Sequence, residues 1–69
     1  MPIALAPVSE SLTIRRISGP EKIRLHLKNL GFIAGEPIKL VSKIDKNVIV
    51  KIKGVTLAIT HDLAKNIFV

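Results

Sequence analysis

With 69 residues, the chain has material for one hydrophobic core and no second domain, and its 48% hydrophobic content excludes a disordered chain. Eleven Lys and Arg against five Asp and Glu give a net charge of +6 and a pI near 10.2, a balance that attracts polyanions. There is no cysteine, which removes disulfides, thiolate metal ligands and thiol redox chemistry and is compatible with a reducing compartment.

Met1 to Val8 is apolar but broken by Pro2 and Pro7, lacks the basic start of a signal peptide and falls far short of the ~20 apolar residues of a membrane span. Residues 1–9 read as an N-terminal arm, stapled to the core through Ile3, Leu5 and Val8, of a single soluble domain over residues 1–69. Leu12 and Ile14 alternate with Thr13 and Arg15 as in a half-buried strand. Ser18-Gly19-Pro20 then opens a helix, with Ser18 or Gly19 as cap and Pro20 at the first helical position. Ile23, Leu27 and Leu30 fall at i, i+4 and i+7 and form one apolar stripe, from which Arg24 and Lys28 point away and to which Leu25 lies roughly opposite. Gly31 stops the helix and Gly35 makes a second turn. Ile38 and Leu40 alternate with Lys39 in a second strand, and Asp45-Lys46-Asn47 turns into a third, where Val48, Val50 and Ile52 alternate with outward Lys51 and Lys53. Lys53-Gly54 turns tightly into Val55 to Ile59, Thr60 caps a short helix with Asp62 in its first turn, and Ile67 to Val69 forms a closing strand. A mainly β chain with one or two short helices in this order fits a small SH3-like β-barrel.

The inventory for catalysis is poor: two histidines, five acidic residues, no cysteine, no tyrosine and no Gly-rich phosphate loop. No enzyme and no cofactor is expected. Asp45 and Asp62 stand far apart in sequence with no evident shared cleft. His26 sits alone on the helix; His61, with Asp62 beside it, is the nearest approach to a ligand pair, and no metal site is assigned. If outward Lys39, Lys51 and Lys53 gathered with Arg15 and Arg16, they would form a stripe suited to a phosphate backbone, and a basic nucleic-acid-binding barrel is the alternative function. The aromatic partners for stacked bases are missing, however: only Phe32 and Phe68 are present, and Phe32 beside Gly31 suits a core, so no nucleic-acid partner is expected. Leu25, flanked by Arg24, His26 and Lys28, makes an apolar spot with a basic rim; a partner with an acidic rim fits it.

The run Arg24-x-x-Leu27-x-x-Leu30-Gly31-Phe32-x-x-Gly35-x-x-Ile38 resembles the FeoA family of bacterial ferrous iron uptake. Val48-x-Val50-Lys51-Ile52-Lys53-Gly54-x-x-Leu57-Ala58-Ile59, then Ala64 and Ile67-x-Val69, is similar to the family's second half, so the resemblance covers roughly Glu10 to Val69, with Leu27, Leu30, Gly31, Gly35 and Gly54 as the structural motif. One departure is visible: family members often carry a longer hairpin where only Ile44-Asp45-Lys46-Asn47 intervenes. The resemblance implies an SH3-like domain and a cytoplasmic, non-catalytic accessory protein. It also implies that Arg24, Leu25, His26, Lys28 and Phe32 dock on the cytosolic GTP-binding domain of a FeoB membrane transporter and modulate it, without membrane insertion. A similar barrel ends some diphtheria-toxin-repressor-type metalloregulators, but no helix-turn-helix precedes the domain here, so a free-standing repressor is not expected. Weak self-association through an exposed edge such as Ile67 to Val69 is compatible with either function.

Overall fold

Alternating aliphatic residues and tight turns build two antiparallel sheets, seen in a computed structural model that describes residues 1–69. The larger sheet contains β1 (Ser11–Thr13), β3 (Pro37–Ile44), β4 (Asn47–Ile52) and β5 (Val55–Thr60) in the order β1-β3-β4-β5, and the smaller pairs β2 (Arg16–Ile17) with β6 (Ile67–Phe68). Helices α1 (Glu21–Asn29) and α2 (His61–Ala64) and a 3-10 turn at Ile3–Leu5 complete the fold. The architecture is the mostly β, SH3-like one expected, with one correction: the two sheets are not joined into a closed barrel.

The expected first strand breaks in two. Ile14, just past β1, still pairs with the turn that leads into β3, its N–H donating to the Glu36 carbonyl (2.9 Å) and its carbonyl accepting from Gly35 (2.8 Å), whereas the Arg15 N–H donates to the Phe68 carbonyl (2.7 Å). The chain therefore changes sheets between Ile14 and Arg15. Ser18 is then occupied by the second ladder, its N–H donating to the Asn66 carbonyl at 2.8 Å, and it does not cap α1. The cap position falls on Pro20, with no side-chain bond, one residue later than expected.

In α1 only Leu27 is fully buried, with Ile23 half-buried beside the core. Leu30, expected on the same stripe, is 40% exposed because the helix ends at Asn29 and the chain turns away. Gly31 makes that turn at φ 103, its N–H donating to Lys28 and the Phe32 N–H to Leu27, both at 2.9 Å. This double bond of the Schellman type recaptures two orphan carbonyls and sends the Phe32 ring inward.

The β3–β4–β5 meander is held by two-residue loops. Ile52 pairs with Val55 across Lys53 (φ 52) and Gly54 (φ 77), the type I′ geometry whose twist matches the strands. Ile44 pairs with Asn47, so only Asp45 and Lys46 form the first loop, tighter than the sequence suggested, and β3 runs well past Leu40. A bulge at Val41 separates the pairs Leu40–Val50 and Ser42–Ile49. It shifts the alternation by one, so Lys43 comes opposite buried Val48, and its Nζ donates to the Ala4 carbonyl at 2.7 Å. The arm is thus held by Lys43 and by burial of Ile3, Ala4 and Ala6, not of Leu5 and Val8, which are exposed. In a 3-10 turn, positions i and i+3 eclipse, so Ile3 and Ala6 share the inner side and Leu5 turns out.

Fifteen residues form one hydrophobic cluster, and no polar side chain is buried. Thr60 caps α2 as expected, its hydroxyl accepting from the Leu63 N–H at 3.3 Å. Pro2 bridges to Phe68, and Val69 donates to the Met1 carbonyl at 2.8 Å, so β6 is flanked on both sides. The expected open edge at Ile67 to Val69 is therefore closed by the arm, and the outer strands of the large sheet are β1 and β5.

A methyl added at Gly31 meets nothing within 4 Å, so Gly31→Ala is expected to lose only backbone energy, about 1–2 kcal/mol, on urea denaturation. Gly19→Ala should cost more, because its Cβ would also lie 2.9 Å from the Asn66 Oδ1 at φ 97. Lys53→Asn is expected to raise the urea midpoint, by about 0.5–1 kcal/mol of stability, since asparagine tolerates the left-handed turn position better. The exposed Lys53–Glu36 pair it removes, at 4.0 Å, contributes little.

Candidate functional site

Helix α1 sets Arg24 and Lys28 one turn apart on one face, as residues at i and i+4 must be. The change of sheets brings Arg15 and Arg16 to the same place from the other side. These four cations rim a groove of about 300 Å³ between β2 and α1. Its floor is apolar, formed by Ile17 on β2 and by Phe32, Ile33 and Ala34 in the connection after the helix.

No acidic residue lines the groove, and the one ion pair in the protein, Lys53 with Glu36, lies outside it. None of the four is held in an ion pair, and together they focus a positive potential into a concave surface. Arg16 is oriented by the ring of Phe68, its guanidinium carbon lying 4.3 Å from the ring centroid.

Of the residues expected to meet a partner, Arg24 and Lys28 stand on the rim. Phe32 does not offer its ring to the surface: it is 1% exposed, because the glycine turn folds it into the core, and it underlies the floor. Leu25, 51% exposed, and His26, also exposed, point elsewhere from α1 and are not part of the groove. Arg15 and Arg16 were legible only as members of a longer stripe, and that stripe is divided. Lys39 and Lys51 face one another across β3 and β4 on the outer face of the large sheet, and Lys53 sits in a turn near Glu36. The signal for Arg15 and Arg16 was the doublet itself: two successive outward cations cannot both obey strand alternation.

A second, open depression of about 570 Å³ lies where the β3–β4 loop meets the start of α2. It brings Asp45 to the same surface as His61 and Asp62, correcting the expectation of no shared cleft. The His61 N–H donates to the Lys46 carbonyl at 2.9 Å, which fixes that approach. No three His, Asp or Glu side chains converge there on a position for a metal ion. Gly35 (φ 95) and Gly54 (φ 77) make turns and line neither surface.

No curated protein matches the sequence. Among solved structures, the chain is similar to a crystal structure of FeoA, an iron uptake regulatory protein, with 22% identity and a TM-score of 0.86 over 97% of this chain and 91% of that one. It is similar at 22% identity and a TM-score of 0.83 to Stenotrophomonas maltophilia FeoA complexed with zinc, a prokaryotic SH3 domain protein, over 99% of this chain and 87% of that one. A manganese-dependent transcriptional repressor matches at 15% identity and a TM-score of 0.89, the whole of this chain spanning 40% of that one. Likeness at these identities establishes the shared fold. The family model for the FeoA domain goes further, since it matches residues 1–69, and the chain belongs to the FeoA domain family.

Proposed function

We propose that this protein is a non-catalytic accessory factor of bacterial ferrous iron uptake that docks on the cytosolic GTP-binding region of a FeoB-like membrane transporter and modulates it. The observation that carries this reading is the match to the FeoA domain along the whole chain. Support comes from the S. maltophilia structure, whose protein has been put forward as a ferrous iron transport activating factor. The surface is consistent with docking: α1 presents exposed Leu25 on one side and the cationic groove on another, and neither carries a constellation for bond-breaking chemistry.

The action is a shift of equilibrium. A protein that binds one conformation of its partner more tightly than another by ~1.4 kcal/mol changes their ratio tenfold. No helix of this chain is long and apolar enough to cross a membrane. On the proposed reading it works in the cytoplasm and reaches the membrane's inner face only through the transporter.

Titration calorimetry of the full chain against the purified cytosolic domain of the transporter tests this reading. Saturable binding that differs between GTP-analogue-loaded and GDP-loaded domain is expected, as is a roughly tenfold weakening by Leu25→Glu with the thermal unfolding curve unchanged. Absence of binding in both nucleotide states overturns the proposal.

A further inference from the structure

We propose that the groove between β2 and α1 seats an acidic segment of a protein partner, with one aliphatic side chain on the Ile17–Ile33–Ala34 floor and carboxylates against Arg15, Arg16, Arg24 and Lys28. This rests on the reading that the chain docks on another protein, and it names the chemistry of what is docked. Two independent features select the occupant. The rim is wholly cationic, with no internal counter-charge, so a ligand of opposite sign gains attraction without first breaking an ion pair. The floor is apolar and partly open to water, Ile33 being 39% exposed, so a small inorganic anion would leave it uncovered, whereas an apolar side chain removes it from water.

An apolar centre with a charged rim is the ordinary anatomy of a protein interface. A nucleic acid matches only half of it. Bases need an aromatic face to stack on, and Phe32 is buried while the ring of Phe68 is already covered by Arg16. The outer-face pair Lys39 and Lys51 carries charge but lines none of the depressions in the surface. It serves as the internal control for simple charge attraction.

The test is an NMR titration of the isotopically labelled full chain with a synthetic peptide in which a leucine is flanked on both sides by glutamates. Controls are the same peptide with serine for the leucine, with glutamines for the glutamates, and a single-stranded RNA oligomer. Saturable shifts are expected at the amides of Arg15 to Ile17, Arg24, Lys28 and Ile33, lost with either control peptide and weakened by added salt. The double variant Arg24→Glu/Lys28→Glu should reduce affinity by about tenfold or more, and Arg24→Gln/Lys28→Gln by less. Both residues are exposed and unpaired, so an unchanged unfolding curve verifies that the fold is retained.

Shifts centred on Lys39 and Lys51, indifference to the loss of the leucine, or tighter binding of the RNA in the groove would each overturn the inference. Transporter domain that binds Arg24→Glu/Lys28→Glu as well as it binds the unaltered chain, with no peptide binding, overturns it alone and leaves the docking function standing. Peptide binding in the groove without any binding of the transporter domain upholds it and removes that partner.

Discussion

One hydrogen bond sets the course of the chain: the Arg15 N–H donating to the Phe68 carbonyl, where the preceding residue, Ile14, still pairs with the turn at Gly35–Glu36. A strand that continued straight would have carried its arginines along the edge of the large sheet. Because it leaves instead to pair with β6, Arg15 and Arg16 come beside α1, and β6 is trapped between β2 and the N-terminal arm. The groove and the closure of the second sheet are two results of the same change of partner.

How much of this was legible depends on whether the deciding interaction was local. The Schellman turn at Gly31, the tight turn at Lys53-Gly54 and the Thr60 cap were readable because each is fixed within a few residues. The alternation of Val48, Val50 and Ile52 was equally plain, and all three are buried. What misled was settled at long range. Ser18 reads as a helix cap until Asn66, 48 positions away, claims it. Leu5 and Val8 read as staples by hydrophobicity alone, yet the 3-10 turn and Lys43, 39 positions from Ala4, decide which side chains turn in. Phe32 was assigned to both the core and a partner surface, and the reach of the glycine turn decides for the core. The groove was visible only as a surplus of charge, since nothing in the sequence tells which cations share a surface.

The surplus itself has two physical meanings in this fold. On the outer face of the large sheet, Lys39 and Lys51 stand opposite one another, where their mutual repulsion is a modest cost that keeps an exposed sheet face from sticking to others. Around the groove the same charge sign surrounds apolar surface, and hydration of the rim competes with burial of the floor. Net charge therefore says little about this protein until it is divided by location.

The pairing of β6 also has a kinetic consequence. The β3–β4–β5 meander joins neighbours in sequence and can form early, but the core is completed only when residues 67–69 reach residues 1–2 and 15–18, near the two extremes of the chain. Such distant contacts make loop closure the slow step of folding, despite the small size of the domain. On the ribosome, β2 must wait with no strand to pair against until β6 has been synthesised. Through that interval the core lacks Ile67 and Val69, and the chain's net positive charge opposes aggregation.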